Sequence, residues 1–586
     1  MKLSQPRLGR CIPLAVACCH TLASAQNAMP EALPAPATLA VEGGAIPIAG
    51  WSYTVRSAAT VGMGVRTKGQ KSTLKPGGSN NSDDGNLNYH SGDSFSRVVK
   101  VTSKANIKHS GGYGVEVGAT AWYDDNLQRH GVAHGNNPNN FVPGAPLSDS
   151  GFDSAARFQG VELLDAHLYG TTELLGGPLA WRIGRLSVER DQGFSFNGGM
   201  RDVETRNTAA STRPGALPDE GVVPVWATTA RWNLSPAWRL DGFVQFANAH
   251  GVAPGCGTYM ASNDYTADGC NRVFYSSRFT EQQNVARGIF TSRGDDVEPT
   301  NRPDQFGVSA SYLLKDLGTR VGLHYAHYHS RGSYTSVQKG RVLGPSGGST
   351  YVVEYPGDKN LLSLTTATRN PQASITWLNE VSITNGQPVQ LNNSDLQTAF
   401  LTGGSLLGAD AIAARPGSLY HGYDRFRVVQ AQTGALKDFA GFWDASKSFL
   451  GAEVALKHVA GLPDVNQRRY GRPESSEVCA NAAACATNDG YVTSNAWAYR
   501  IRAGMEFANV GGTQVRLRPS VNFAHDVKGW SYDYAFIQGR KSVRLALDAD
   551  FGKDVFANVA YAASRGGQFN TRKDRDFVVA SVGIKF

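Results

Sequence analysis

"KDRDFVVASVGIKF" (Lys573–Phe586) closes the chain. From Val578 onward, apolar or small residues occupy every second position: Val578, Ala580, Val582, Ile584 and Phe586, with Phe577 just before them. Between them stand Val579, Ser581, Gly583 and Lys585, mostly small or polar. A period of two is that of a strand with one oily and one wet face. An alternating strand that stops on an aromatic reads as the last strand of a closed sheet. Its partner is then the first strand, near Trp51, because closure removes an edge that lipid does not tolerate.

The same alternation recurs along the chain. In "RVVKVTSKANIKHS" Val99, Val101, Ser103, Ala105 and Ile107 oppose Lys100, Thr102, Lys104, Asn106 and Lys108. In "TQVRLRPSVNF" Val515, Leu517, Pro519, Val521 and Phe523 oppose Arg516 and Arg518. In "KSVRLALDADF" Val543, Leu545, Leu547 and Phe551 oppose Arg544, Asp548 and Asp550. Glycine, at 66 of 586 residues, and aromatics, at 10%, fit many strands and turns. No apolar run reaches the length of a helical membrane span.

The connections separate a membrane barrel from a soluble sandwich. Short turns such as "LGGP" (175–178), "NLSPAW" (233–238) and "DFGKD" (550–554) alternate with long polar segments such as 191–221, 250–303 and 460–493. One longer connection, around 435–446, breaks the series of short turns. Long structureless loops are uncommon in soluble domains, whereas outer-membrane barrels pair short periplasmic turns with long extracellular loops. The expected fold is an all-β, up-and-down antiparallel transmembrane β-barrel. It has about 18 strands (16–18), running from 51–67 to 576–586. Trp232 and Trp238 flank one short turn and suit an interfacial aromatic girdle.

Lys2, Arg7 and Arg10, the apolar "CIPLAVACCHTLA" and Ala23-Ser24-Ala25 read as a cleaved signal peptide over 1–25. The mature chain is expected to begin near Gln26 with a flexible Pro/Ala-rich segment, 26–50, ahead of the barrel at 51–586. A lipoprotein reading on Cys18 ranks below this. Loss of three basic residues lowers the formal charge from +8 to about +5, which does not argue for nucleic acid. Of seven cysteines, three leave with the signal. The rest form two close pairs, Cys256 with Cys270 and Cys479 with Cys485, which read as loop disulfides in an exported chain. Both pairs fall in long segments, on the exterior side.

Several stretches carry a family likeness: "ATAWYDDN" (119–126), "LLDAHLYGTTELLGGPLAWRIGRLSVERDQGFSFNGGM" (163–200), "CGTYMASNDYTADGCNRV" (256–273) and the terminal strand. With the chain length they resemble the domain-of-unknown-function 1302 (DUF1302) proteins, exported proteobacterial proteins taken to be outer-membrane barrels. The resemblance implies localisation more than mechanism. Members are often encoded near periplasmic lipid carriers and resistance-nodulation-type pumps, which implies such partners and traffic of hydrophobic compounds. Many members have a tryptophan-glycine-glutamate element after the "RIGR"-like stretch. Here Val188-Glu189-Arg190 stands instead, which puts any role of that element in doubt. The terminal strand, through Val582, Ile584 and Phe586, likewise resembles the signal that barrel-assembly machinery recognises.

No His-Glu-x-x-His, phosphate loop or Gly-x-Ser-x-Gly elbow is present, and no Ser–His pair can be assembled for a lipid hydrolase. "SGDSFS" (91–96) reads as a loop entering a strand. Asp83 and Asp84 in "NNSDDGN" lack the spacing of a dedicated calcium loop and read as a solvated surface loop. His324 and His327 fall on opposite faces of one strand. No catalytic residue, cofactor or metal is expected.

What remains is the wet face. Inward placement puts Lys100, Lys104, Lys108, Arg182, Arg231, Arg239, Arg320, Arg500, Arg502, Arg516, Arg518 and Arg544 in the lumen. Glu116, Asp241, Glu380, Glu453, Glu506 and Asp548 accompany them. Arg or Lys facing lipid at mid-membrane costs about 2–4 kcal/mol, so the charges belong inside. The basic excess is expected to attract anions. The leading expectation is a porin-like channel for small anionic or amphipathic organic solutes, embedded among outer-membrane lipid and lipopolysaccharide. The alternative is a filled barrel that serves as a lipid-handling, export-linked or surface-interaction platform. Loop 250–303, stapled at Cys256 and Cys270, is the expected constriction or lid.

Overall fold

The computed structural model describes residues 42–45, 49–71, 81–129, 132, 146–188, 193–276, 278–300, 303–472 and 487–586. The expected signal peptide, Glu189, Arg190 and the pair Cys479 and Cys485 lie outside the described residues.

Eighteen antiparallel strands close into one barrel. In chain order they are β1 Trp51–Arg66, β2 Ser94–His109, β3 Gly114–Asp124, β4 Gln159–Leu174, β5 Gly177–Leu186, β6 Val225–Trp232, β7 Trp238–Gln245, β8 Gln305–Leu314 and β9 Thr319–Tyr328. There follow β10 Lys359–Asn370, β11 Ile375–Gln390, β12 Tyr423–Phe439, β13 Lys447–Ala460, β14 Asn495–Glu506, β15 Val515–Lys528, β16 Lys541–Phe551, β17 Val555–Arg565 and β18 Phe577–Lys585. Each strand pairs with its sequence neighbours, and β18 returns to β1 in register from Ala58↔Lys585 to Arg66↔Phe577. Phe586 extends the seam, exchanging backbone hydrogen bonds with Ser57 at 3.0 and 3.1 Å.

β1 starts below the point where β18 stops, which leaves its first residues without a partner on one side. Glu42–Ala45 fills that gap, pairing antiparallel with Ser52–Val55. This corrects the expectation of a flexible 26–50 segment at these four residues. A second correction concerns 435–446: β12 continues to Phe439, and the turn is only 440–446. It is tightened by positive φ at Gly441, Trp443 and Asp444. The short and long connections therefore alternate without a break.

The two faces of the wall differ as a lipid solvent requires. Val99 and Val101 are 52% and 44% exposed, while Lys100 between them is 1% exposed. Val582, Ile584 and Phe586 likewise lie on the outer face. Oily side chains stand outside and ionic ones inside, the inverse of a water-soluble sandwich. Cys256 is disulfide-bonded to Cys270, with Cα atoms 5.9 Å apart.

Candidate functional site

The connection between β5 and β6 does not stay above the barrel. Residues 193–224 enter the interior and cross it, tied to the wall at each step. At one end, Glu453 of β13 accepts from Ser195 N at 2.9 Å and Ser195 Oγ at 2.6 Å. Arg500 of β14 donates to Ser195 O at 2.5 Å, and its guanidinium lies 4.5 Å over the Phe196 ring. Phe196, fully buried, packs on Ala455, Ala496, Ala498 and Phe536. Farther along, Glu380 of β11 accepts from Met200 N at 2.9 Å. Asp202 pairs with Lys359 of β10 and accepts from Tyr328 of β9 at 3.0 Å.

The far end docks on β1–β3. Glu220 forms an ion pair with Lys100 and accepts from Thr120 at 3.0 Å. Lys100 also donates to Gly215 O at 2.7 Å, and Asp219 pairs with Lys104 at 3.1 Å. Arg213 stacks 3.9 Å over Trp122. Gly215, at φ +74°, lies against Thr60 of β1 and Ser581 of β18 so closely that a Cβ there would meet the Thr60 methyl at 2.5 Å. The segment that crosses the interior is thus 193–224, so of the two roles expected for 250–303, constriction or lid, only the position of a lid fits. The disulfide-bonded loop instead packs over the mouth, where Tyr259 stacks on Phe95 at 4.4 Å and contacts Phe577 edge-on.

All twelve basic candidates stand on the inner face, in different surroundings. Lys100 and Arg544 are buried. Lys104 faces three carboxylates: Asp165 at 2.9 Å, Asp219 at 3.1 Å and Glu116 at 3.6 Å. Arg502 approaches Glu453 at 3.9 Å, Arg516 approaches Glu506 at 3.8 Å, and Arg518 pairs with Asp550 at 2.6 Å. On the opposite wall Arg231 and Arg239 share Asp241, at 2.6 and 3.0 Å. Arg320 donates to Ser311 at 3.3 Å. Lys108 and Arg182 are exposed toward the short-turn end and enter none of the described ion pairs. Two arginines sharing one carboxylate, beside Arg182 and Arg320, leave the β5–β9 wall below the constriction positive.

The acidic candidates also point inward; Asp548 accepts from Asn558 at 2.7 Å. Inner-face charges missed from the sequence include Arg56, Lys457 and Lys585. Lys585 was legible, since it alternates with Ile584 and Phe586. Glu220, Asp202 and Arg213 were not, because they lie on a segment read as an external loop. His324 faces inward to Thr365, with His327 on the other face beside Asn360. Asp83 and Asp84, expected in a solvated loop, are buried near Glu281. They sit beneath the 250–303 loop, where Asp264 accepts from both their backbone N–H groups. Burial and the neighbouring Asp84 charge hold the Asp264 carboxyl well above the usual range.

Among solved structures, the chain is similar to Acinetobacter baumannii OccAB3, at 11% identity over 91% of this chain and 99% of that one, TM-score 0.41. It is also similar to Pseudomonas aeruginosa OccK8 (OprE), at 9% identity over 90% and 97%, TM-score 0.37. The closed ladder described above, not these superpositions, establishes the barrel. No curated protein matches the chain. The family described as "Protein of unknown function (DUF1302)" matches residues 10–586, nearly the whole length, and the chain belongs to that family.

Proposed function

We propose that the protein is an outer-membrane channel, without a catalytic step, for small anionic or amphipathic organic solutes. The observation that carries this reading is the crossing of 193–224 at mid-barrel, clamped from β13–β14 to β1–β3. Such a segment narrows a wide barrel to a selective passage while the wall below it stays ionic. Barrels of this strand number are wide enough to leave an aqueous path around an inserted segment. The uneven arginine excess on β5–β9 favours anions by raising their local concentration. In this reading Val582, Ile584 and Phe586 are read by the assembly machinery during insertion, and periplasmic lipid carriers or inner-membrane pumps meet the short-turn face.

The protein reconstituted in a planar bilayer under a salt gradient is expected to show stepwise conductance with a reversal potential on the anion side. A cation-side potential refutes the selectivity, and absence of conductance refutes the channel. One observation favours the second reading, a filled barrel: Phe196 and Lys100 are almost wholly buried at mid-height. A sealed bilayer in that same experiment would select it.

A further inference from the structure

Between the constriction and the roof of extracellular loops lies a cavity of about 240 Å³. Asp202 and Thr208 of the inserted segment form its floor. Gly251–Pro254 and Met260, flanking the disulfide-bonded turn, form its roof. Its volume lies just below the roughly 300–1,000 Å³ typical of ligand pockets, so its occupant is small.

The charges around it do not balance. Five cationic side chains line it, Arg331, Lys359, Arg472, Arg540 and Arg572, against Asp202 and Asp533. Lys359 is matched by Asp202, and Arg540 by Asp526 outside the cavity; Asp533 is already held by Lys457. The other three guanidinium groups form no ion pair and hydrogen-bond only to neutral groups among the described residues, although Asp202 acts on Arg331 and Asp395 on Arg472 at longer range. Arg331 donates to Val203 O and Ala249 O, each at 3.1 Å, and to Gln245 Oε1 at 2.9 Å. Arg472 donates to Tyr491 Oη at 2.9 Å and lies 4.7 Å over the Phe569 ring, while its buried Nη2 has no hydrogen-bond partner among the described residues. Arg572 donates to Met260 O at 3.4 Å.

Burying a cation without a counter-charge is costly. The cost is visible in the proton affinities. Burial pushes Arg331 down to about 10. Burial, with Arg575 and Arg540 nearby, pushes Arg572 down to about 9. An incoming carboxylate would supply the missing charge, and guanidinium groups bind carboxylates in a planar, two-bond geometry. The rings of Tyr334 and Tyr532 also line the space and offer an apolar face to a ring-sized substituent.

We propose that this chamber binds a small organic carboxylate, held by Arg331, Arg472 and Arg572 between the loop roof and the constriction. The proposal deepens the channel reading and rests on it only for the path of the solute; the binding is measurable without transport. Calorimetric titration of the full chain in detergent with benzoate tests it, with benzyl alcohol as the neutral analogue and inorganic phosphate as the simple anion. Saturable benzoate binding is expected, with none for benzyl alcohol and weaker binding for phosphate. Arg472→Gln and Arg572→Gln are each expected to weaken benzoate binding by roughly tenfold or more.

Four results overturn it: no saturable benzoate heat, equal binding of benzyl alcohol, phosphate binding as tight as benzoate, or unaltered benzoate binding in variants that retain heat-modifiable migration. Should both variants misfold, the wild-type comparison of the three probes decides alone. Conductance without benzoate binding sinks the site and spares the channel. Benzoate binding without conductance does the reverse.

Discussion

Lys100 shows how one side chain can be claimed by two parts of the fold. Its position in β2 is set by local alternation, but its partner Glu220 is 120 residues away in sequence. Both side chains are 1% exposed. Two charges so deeply desolvated are tolerated only because Thr120 and Gly215 O complete their hydrogen bonding. Lys100→Met, which strands a buried carboxylate, is expected to lower unfolding stability by about 3–5 kcal/mol. Lys100→Met with Glu220→Gln removes both charges and is expected to recover most of that loss. Urea unfolding in micelles, followed by tryptophan fluorescence, checks both. If the single and double variants are equally destabilised, the pair is not a coupled unit.

At the scale of the element, the inserted segment depends on glycine where it touches the wall. Gly199 adopts φ +61°, and a Cβ there would run into the Glu380 carboxylate. Only glycine meets both conditions, the left-handed backbone and the close approach. Gly199→Val is therefore expected to break the Met200–Glu380 bond and swing the middle of the segment away from β11, with the barrel intact. In single-channel recordings the prediction is a larger conductance and weaker ion selectivity. Unchanged conductance would show that the 199–203 turn does not set the narrowest point. The two phenylalanines of "GFSFNGGM", Phe194 and Phe196, are both buried. An aromatic pair flanked by glycines in an otherwise polar connection was the one hint, in the sequence, that this loop has an interior to enter.

At the scale of the whole molecule, stability comes from closure and from the match between wall and solvent. The β1–β18 seam satisfies every backbone group that an open edge would expose to lipid. Val582 sits in that seam, opposite Val61, with its side chain 52% exposed on the outer face. Val582→Arg is expected to cost about 2–4 kcal/mol if the residue lies near the bilayer midplane. The check is unfolding of the barrel in phospholipid vesicles, with the same variant in detergent as a control. A loss no greater in lipid than in detergent would contradict a bilayer around this face.

The chain's own order of residues determined the barrel, its strand number and which side chains face inward. These follow from a period of two, from turn length and from the cost of a charge in lipid, all read within a few residues of each position. Even the first and last strands, expected at 51–67 and 576–586, shift by no more than one residue at either end. Only the tertiary structure decided which loop enters the lumen and which charges survive unpaired. The bonds that seat 193–224 join residues 258 apart at Ser195–Glu453 and 120 apart at Lys100–Glu220. No local pattern encodes contacts of that span. A polar loop outside the barrel and a polar loop inside an ionic lumen have the same composition, and only the wall they meet tells them apart.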